Sequence, residues 1–220
     1  MATDVRTAET AQVVADPAPL GLAGFALTTV LLSGLNAGLI NGGKLTAGSL
    51  VFVGMGLFYG GLAQFMAGMW EFRNRNTFGA TAFTSFGAFW LGLSILLVFD
   101  LEGHPLIAFW AGGLQGQIWF LFCWAVFTTY MFVASLRTNG AVALVFLLLA
   151  LTFWALWIGG FQGPVHGAPG KGFTQIGGYL GLATAIVAFY TSFAGVTNST
   201  FGRVVLPVYP LAAVVDRATS

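Results

Sequence analysis

The stretch from Asp16 to Ile40 reads DPAPLGLAGFALTTVLLSGLNAGLI, with two prolines at its start and then an uncharged, mainly apolar run. About 20 apolar residues in a helix span the roughly 30 Å hydrocarbon core of a bilayer. Proline in a first turn costs no helical hydrogen bond, because the N–H groups there have no partner within the helix. Asp16 is a favoured N-cap residue. The stretch therefore predicts a membrane-spanning helix that begins near Pro17 and Pro19.

The rest of the chain repeats this pattern of long uncharged runs. Of the 220 residues, 57% are hydrophobic and 7% are charged, and the mean hydropathy is +0.86. A soluble domain carries about 25% charged residues. The uncharged runs predict six spans, at about 20–40, 50–70, 79–99, 114–136, 141–158 and 177–197.

We therefore predict an all-α integral membrane protein with six transmembrane helices. Residues 16–207 should form the membrane domain, residues 1–15 a flexible cytoplasmic tail, and residues 208–220 a second cytoplasmic tail. With the N-terminus inside, the inner segments carry six arginines and the outer loops only Lys44 and Lys171. This asymmetry favours a multi-pass protein of the cell membrane with both termini in the cytoplasm. The net charge of +1 gives no indication of nucleic-acid binding.

Charged residues do not occur centrally in any predicted span, and His104 and His166 fall in predicted loops. Ion pumps usually mark their path with such residues, whereas a conduit for a neutral or weakly charged solute does not need them. We therefore expect no enzyme active site, no metal site and no cofactor. Glu71, at the inner end of the second span, is the acidic residue closest to a possible substrate path. The alternative interpretation is that Glu71 forms an interfacial ion pair with Arg73 or Arg75.

Hydroxyl and amide side chains within the spans are candidates for a polar substrate path, although Thr and Ser can instead bond to their own backbone or join helices. The candidates are Thr28, Thr29, Tyr59, Gln64, Thr84 and Ser85. Deeper phenylalanines are either core packing or a dewetted constriction. Glycines four residues apart predict close helix–helix contacts at Gly34/Gly38, Gly56/Gly60, Gly112/Gly116 and Gly177/Gly181.

The motif at the start of the first helix admits two interpretations. Asp16, Pro17, Pro19 and Gly21 can simply define where the helix begins. Exposed N–H groups and the positive end of the helix dipole could also attract a carboxylate, although the charge of Asp16 opposes this.

Three stretches of this sequence resemble motifs of the acetate uptake transporter family, the succinate–acetate permeases. DPAPLGL, 16–22, resembles the family signature NPAPLGL. GLFYGGLAQFMAGMWEFRNRNTFGATAFTSFGAFW, 56–90, and FGRVVLP, 201–207, are similar to two further family regions. The resemblance covers about residues 16–207. It implies a six-helix membrane fold assembled as a homo-hexamer with one pore in each protomer.

The resemblance also implies which residues narrow the pore. The family constriction of Phe, Tyr and Leu falls on Phe25, Phe86 and Leu151, and a further selectivity position falls on Ala188. Phe86 departs from the family tyrosine and lacks its hydroxyl, and Asp16 replaces the usual Asn.

We therefore expect a transporter or channel for acetate and related small carboxylates, with protons, membrane lipid and other copies of the chain as partners. A simple carboxylic acid has a pKa near that of Glu, about 4.3, and is ionised at neutral pH. A membrane potential of 100 mV, negative inside, opposes entry of the carboxylate's negative charge by about 2.3 kcal/mol. The simplest carrier of the coupled proton is then the substrate itself. Two alternatives remain: a pore for a small neutral solute such as urea or ammonia, and a membrane subunit that transports nothing.

Overall fold

The computed structural model describes residues 14–44, 50–101, 114–163 and 172–211. Within these ranges the chain forms six membrane-length helices and no strand longer than a single bridge, which confirms the all-α, six-span prediction. The helices are α1 Ala18–Asn36, α2 composed of Leu50–Leu57, Phe58–Ala63 and Gln64–Arg73, α3 Thr77–Leu101, α4 Leu114–Ser135, α5 Gly140–Gly160 and α6 Gly172–Phe201.

Helix α1 begins and ends close to the prolines and glycines that punctuate its sequence. Pro17 is the N-cap, and the Asp16 carboxylate accepts a hydrogen bond of 2.9 Å from the Ala18 N–H. Asp16, predicted as the N-cap, therefore supports the first turn from one residue before the observed N-cap. The helix ends at Asn36 and not at Ile40, because Gly38 has a φ of 80°, a left-handed conformation that stops a helix and suits glycine.

The bundle is arranged around α1, which packs against α6 on one side and α2 on the other. Helix α5 lies between α4 and α6, and α3 packs on α2. Small residues allow the close approaches, as predicted: a Cβ added at Gly177 would lie 2.7 Å from the Leu156 side chain. The pair Gly34/Gly38 was predicted as a helix contact, but it shapes the end of α1, where Gly34 faces Ile40 of the same chain. Gly112 lies outside the described residues.

Helix α2 contains a π-helical segment, Phe58–Ala63, that the sequence analysis treated as ordinary helix. A π-turn adds one residue to the helical turn and occurs often near functional sites. Glycines on both helices allow this segment to approach α1 closely. A Cβ added at Gly24 of α1 would lie 2.6 Å from the Tyr59 carbonyl oxygen, and one added at Gly60 of α2 would meet the Thr28 side chain. The segment thus brings the backbones of α1 and α2 together.

The segment after α6 turns back onto the start of α5. The Asn198 side chain accepts hydrogen bonds from the N–H groups of Val205 and Leu206, at 2.7 and 2.9 Å, and donates one to the Leu206 carbonyl. Gly140 N–H then donates to the Tyr209 carbonyl at 2.7 Å. Residues 208–211, predicted as part of a tail, therefore pack on the helical domain. Most of both predicted tails lies outside the described residues.

Candidate functional site

Aromatic rings from four helices meet in the middle of the bundle. The rings of Phe25 on α1 and Phe86 on α3 are 5.8 Å apart and edge-to-face. Phe86 also contacts Trp124 and Phe127 of α4, both at 5.5 Å, and Phe153 of α5 at 6.4 Å. Phe25 and Phe86 are 4% and 3% exposed. The two predicted constriction phenylalanines are therefore in direct contact and shielded from solvent.

A small cavity of about 40 Å³ lies against these rings. One water needs roughly 10–15 Å³ of such space, so the cavity has room for about three waters or a solute of a few heavy atoms. Its walls come from α1, α3, α4 and α5, and its lining residues are Phe25, Thr29, Leu32, Ser33, Asn36, Phe86, Phe89, Trp90, Leu93, Phe120, Leu121, Leu149, Thr152, Phe153 and Leu156.

One wall of the cavity is polar. Thr29, Ser33 and Asn36 lie at i, i+4 and i+7 on a single face of α1, and Thr152 adds a hydroxyl from α5. Thr29 donates to the Phe25 carbonyl at 2.7 Å, and Thr152 donates to that of Leu148 at 2.8 Å. Thr29 was predicted as a path residue. Ser33 was missed, although its helical spacing from Thr29 and Asn36 would have identified it, and Thr152 has no comparable signal in its local sequence.

Leu151 does not lie with Phe25 and Phe86. Its side chain is 46% exposed on the outside of α5, whereas Leu149 is 4% exposed and lines the cavity. Two residues along an α-helix are about 200° apart around its axis, so an offset of two residues moves a side chain to the opposite face. The predicted placement of Leu151 at the constriction is therefore wrong, and Leu149 occupies that position.

Four other predicted residues lie outside the cavity lining. Thr28 is fully buried; its hydroxyl donates to the Gly24 carbonyl at 3.0 Å and reaches the Met55 carbonyl of α2 at 3.4 Å. Ala188 is buried in the apolar core. Tyr59 and Ser85 are partly buried and do not line the cavity.

Gln64 of α2 lies next to α1, where a Cβ added at Gly24 would be 3.6 Å from Cβ of Gln64, and Thr84 of α3 faces α2. Gln64 is 1% exposed, and its Oε1 has no hydrogen-bond partner among the described residues; the same holds for Oγ1 of Thr84. A Cβ added at Gly68 would meet the Thr84 hydroxyl. Both side chains therefore carry unused hydrogen-bonding capacity, but they do not line the cavity.

Glu71 is paired with an amide and not with arginine. It is 1% exposed, and its Oε2 accepts a hydrogen bond of 3.0 Å from the Asn76 side chain, which in turn accepts from Gly79 N–H. No ion pair joins it to Arg73 or Arg75 in the described part of the chain. Glu71 thus stabilises the turn between α2 and α3.

The prolines at the start of α1 are engaged in packing. The Pro19 carbonyl accepts a 2.7 Å hydrogen bond from the Ser192 hydroxyl of α6, and a Cβ added at Gly21 would lie 2.7 Å from the Phe83 ring. Asp16 already occupies the Ala18 N–H. These contacts favour the interpretation of the motif as a fixed helix start.

The fold and the cavity together define a class of protein: an α-helical, multi-pass membrane protein with a small, partly polar site enclosed among its helices. The chain matches the sequence model of the GPR1/FUN34/yaaH family over residues 3–213 and belongs to that family.

Named relatives and one solved structure agree with this membership. The chain is 38% identical over 204 residues to acetate permease A of Emericella nidulans, covering 88% of this chain and 65% of that protein. It is 38% identical over 195 residues to the succinate-acetate/proton symporter SatP of Escherichia coli K12, covering 89% and 95%. The structure of the bacterial acetate channel SatP matches with a TM-score of 0.77 at 37% identity, covering 89% of this chain and 99% of that one. The family resemblance is thereby confirmed, as is the expectation of a protein other than an enzyme.

Proposed function

We propose that this chain forms a pathway across the membrane for acetate and related small carboxylates, and that a proton travels with the acid. The observation that carries the proposal is the 40 Å³ cavity, with hydroxyls on one wall and the contacting rings of Phe25 and Phe86 on another. The names of the relatives supply the substrate class. The E. nidulans permease is longer than this chain, so its activity comes to this chain only by analogy.

The chemistry of the lining supports a neutral form of the substrate. The described residues that line the cavity include none that is charged. An isolated carboxylate in such surroundings lacks a compensating partner and is strongly disfavoured. A protonated acid needs only hydrogen bonds, which the hydroxyl wall offers.

The constriction in this proposal consists of Phe25, Phe86 and Leu149. The two rings are in contact and exclude water, so a solute must shed its hydration to pass. Phe86 replaces a family tyrosine, so this ring acts by shape and dryness and not by hydrogen bonding. Ala188 stays a candidate for setting substrate size through the packing of α6, because it is fully buried in the same apolar cluster as both rings.

The assembled state belongs to the same proposal: a homo-hexamer in the cell membrane, with both termini cytoplasmic. The segment after α6, which carries Arg203, packs on the start of α5 just after Arg137, so these two arginines lie at one end of the bundle. Such clustering agrees with the positive-inside rule. Only 28% of the most apolar part of α4 is buried within one chain, which leaves apolar surface for lipid or a second copy. A mass measurement in gentle detergent that found only monomer would contradict the hexamer.

A liposome flux assay tests the proposed function against its rivals. The purified full chain in liposomes should take up labelled acetate faster than empty liposomes, with acidification of the lumen recorded by a trapped pH dye. Uptake of ammonia or urea without acetate would favour the neutral-solute pore. Absence of flux for every solute, with the protein correctly inserted, would favour a subunit that does not transport.

A further inference from the structure

We infer that the cavity binds the neutral, protonated form of a carboxylic acid, with the Trp90 indole N–H donating to the carbonyl oxygen and the hydroxyl oxygens of Thr29 and Thr152 accepting from the acid's O–H. The inference rests on the proposed function and adds the residues that recognise the neutral acid.

Trp90 lines the cavity and carries an unused hydrogen-bond donor. The residue lies on α3, is 2% exposed and lines the cavity. Its Nε1 is buried and has no acceptor among the described residues. Neighbouring rings hold the indole in place: Phe52 at 6.2 Å and Phe89 at 5.0 Å, both edge-to-face. Because buried polar groups are nearly always hydrogen-bonded, such a donor requires an explanation. A solute acceptor in the cavity provides one.

Thr29 and Thr152 present acceptors to the same cavity. A hydroxyl has one hydrogen to donate and two lone pairs to accept with. Both threonines direct their hydrogen to a carbonyl of their own helix, at 2.7 and 2.8 Å. Each threonine oxygen therefore remains free to accept a hydrogen bond from a solute. The cavity lining therefore combines an indole donor with the hydroxyl acceptors of Thr29 and Thr152, and Ser33 and Asn36 add a further hydroxyl and an amide.

This combination matches a protonated acid better than a carboxylate or an ammonium ion. A carboxylic acid has a carbonyl to accept from Trp90 and one O–H that the oxygens of Thr29 and Thr152 can share. A carboxylate only accepts, so it would place its charge against two hydroxyl oxygens unless both threonines gave up their helical bonds. Ammonium only donates and leaves Trp90 unpaired, whereas neutral ammonia has a lone pair that can accept from the indole N–H. Urea can accept from Trp90, and its four N–H groups match the four lone pairs of the two threonine oxygens, so the liposome flux assay separates urea from the acid.

The first experiment measures half-saturation of acetate uptake in liposomes from pH 5 to 8. The fraction of acid that is protonated falls about tenfold for each pH unit above its pKa. If the neutral acid binds, half-saturation in total acetate should rise by the same factor and stay constant when expressed as neutral acid. Half-saturation that is constant in total acetate over this range would overturn the inference.

The second experiment compares Trp90→Phe with Trp154→Phe. Trp90→Phe removes the donor and should raise half-saturation about fivefold at every pH, the factor for one ordinary net hydrogen bond. Trp154 is the matched control, because its indole N–H already donates to the Thr129 hydroxyl at 3.0 Å and it does not line the cavity. Thr152→Val, which removes a hydroxyl but keeps the branched shape, should raise half-saturation in the same direction.

A substitution that keeps the shape of the indole separates hydrogen bonding from packing. Replacing Trp90 with benzothienylalanine exchanges the N–H for sulfur in a ring of similar size, and it serves also if Trp90→Phe fails to fold. The same weakening of acetate binding supports the inference, and wild-type binding overturns it. If the wild-type chain shows no acetate flux, the proposed function itself fails. If flux is normal and Trp90→Phe behaves like Trp154→Phe, this inference alone fails.

Discussion

Leu149→Ala should widen the range of acids that pass, whereas Leu151→Ala, two residues further along α5, should not. Leu149 lines the cavity and is 4% exposed, and Leu151 is 46% exposed on the outer face of the same helix. The same chemical change, made on opposite faces of one helix, therefore tests whether the cavity sets substrate size.

The magnitude follows from the space that the substitution creates. Truncating leucine to alanine removes three carbon atoms from the wall of a cavity of about 40 Å³. Butyrate has two methylene groups more than acetate, and burying each contributes about 0.8 kcal/mol. The gain of about 1.6 kcal/mol corresponds to about fifteenfold in the preference for butyrate over acetate. Collapse of the wall would reduce this factor, so it is an upper value.

The assay is competition between labelled acetate and unlabelled butyrate in liposomes that contain each variant. Truncating a buried leucine can cost about 2 to 5 kcal/mol of stability, so size-exclusion profiles and thermal unfolding must first show that Leu149→Ala is folded. An unchanged preference in folded Leu149→Ala would refute the reasoning. An equal shift in Leu151→Ala would do the same, because that side chain does not contact the cavity.

Three further substitutions test other parts of the structure. Phe25→Ala should raise acetate flux and weaken its dependence on pH, because it opens the water-excluding contact between the Phe25 and Phe86 rings. Phe193→Ala is the control, because Phe193 is 59% exposed. Equal flux in both variants would show that the Phe25 ring does not restrict transport. Gly24→Ala should impair folding, since its Cβ would lie 2.6 Å from a backbone oxygen of α2, whereas Gly54→Ala has nothing within 4 Å and should fold normally. Asn198→Ala removes three hydrogen bonds to the segment after α6, with a net loss of about 1.5 to 4 kcal/mol. The substitution should speed hydrogen exchange of the backbone amides in that segment. Unchanged protection of those amides would show that Asn198 does not hold the segment in place.

The six spans could be predicted because each depends on a local property. A run of about 20 uncharged apolar residues spans a bilayer whatever its neighbours are. Helix ends could be placed only within several residues: α1 stops early at Gly38, and α6 begins at Gly172 and not near residue 177. The early end of α1 arises from the left-handed backbone at Gly38, which composition alone does not report.

The cavity was harder to predict because it depends on register between helices. The contact of Phe25 with Phe86 was expected from the resemblance, but Leu151 was assigned to the wrong face because an offset of two residues reverses the direction of a side chain. The π-helical segment of α2 gave no signal beyond paired glycines. Trp90 resembled an ordinary buried aromatic, and only the structure shows that its N–H lacks a described acceptor while the ring lines a cavity.

A proton carried by the substrate and a cavity whose described lining residues carry no charge explain each other. With a pKa near 4.3, about one acid molecule in 500 is protonated at pH 7, which corresponds to about 3.7 kcal/mol. Moving the anion into the bundle instead costs several kcal/mol for desolvation, and a potential of 100 mV adds about 2.3 kcal/mol. The neutral route is therefore the cheaper one unless a cation compensates the anion, and the lining of this cavity offers no cation among its described residues. A buried Lys or Arg would itself be costly at that depth. What the neutral route requires is a dry passage with a few hydrogen-bonding groups, which Phe25, Phe86 and the hydroxyl wall provide.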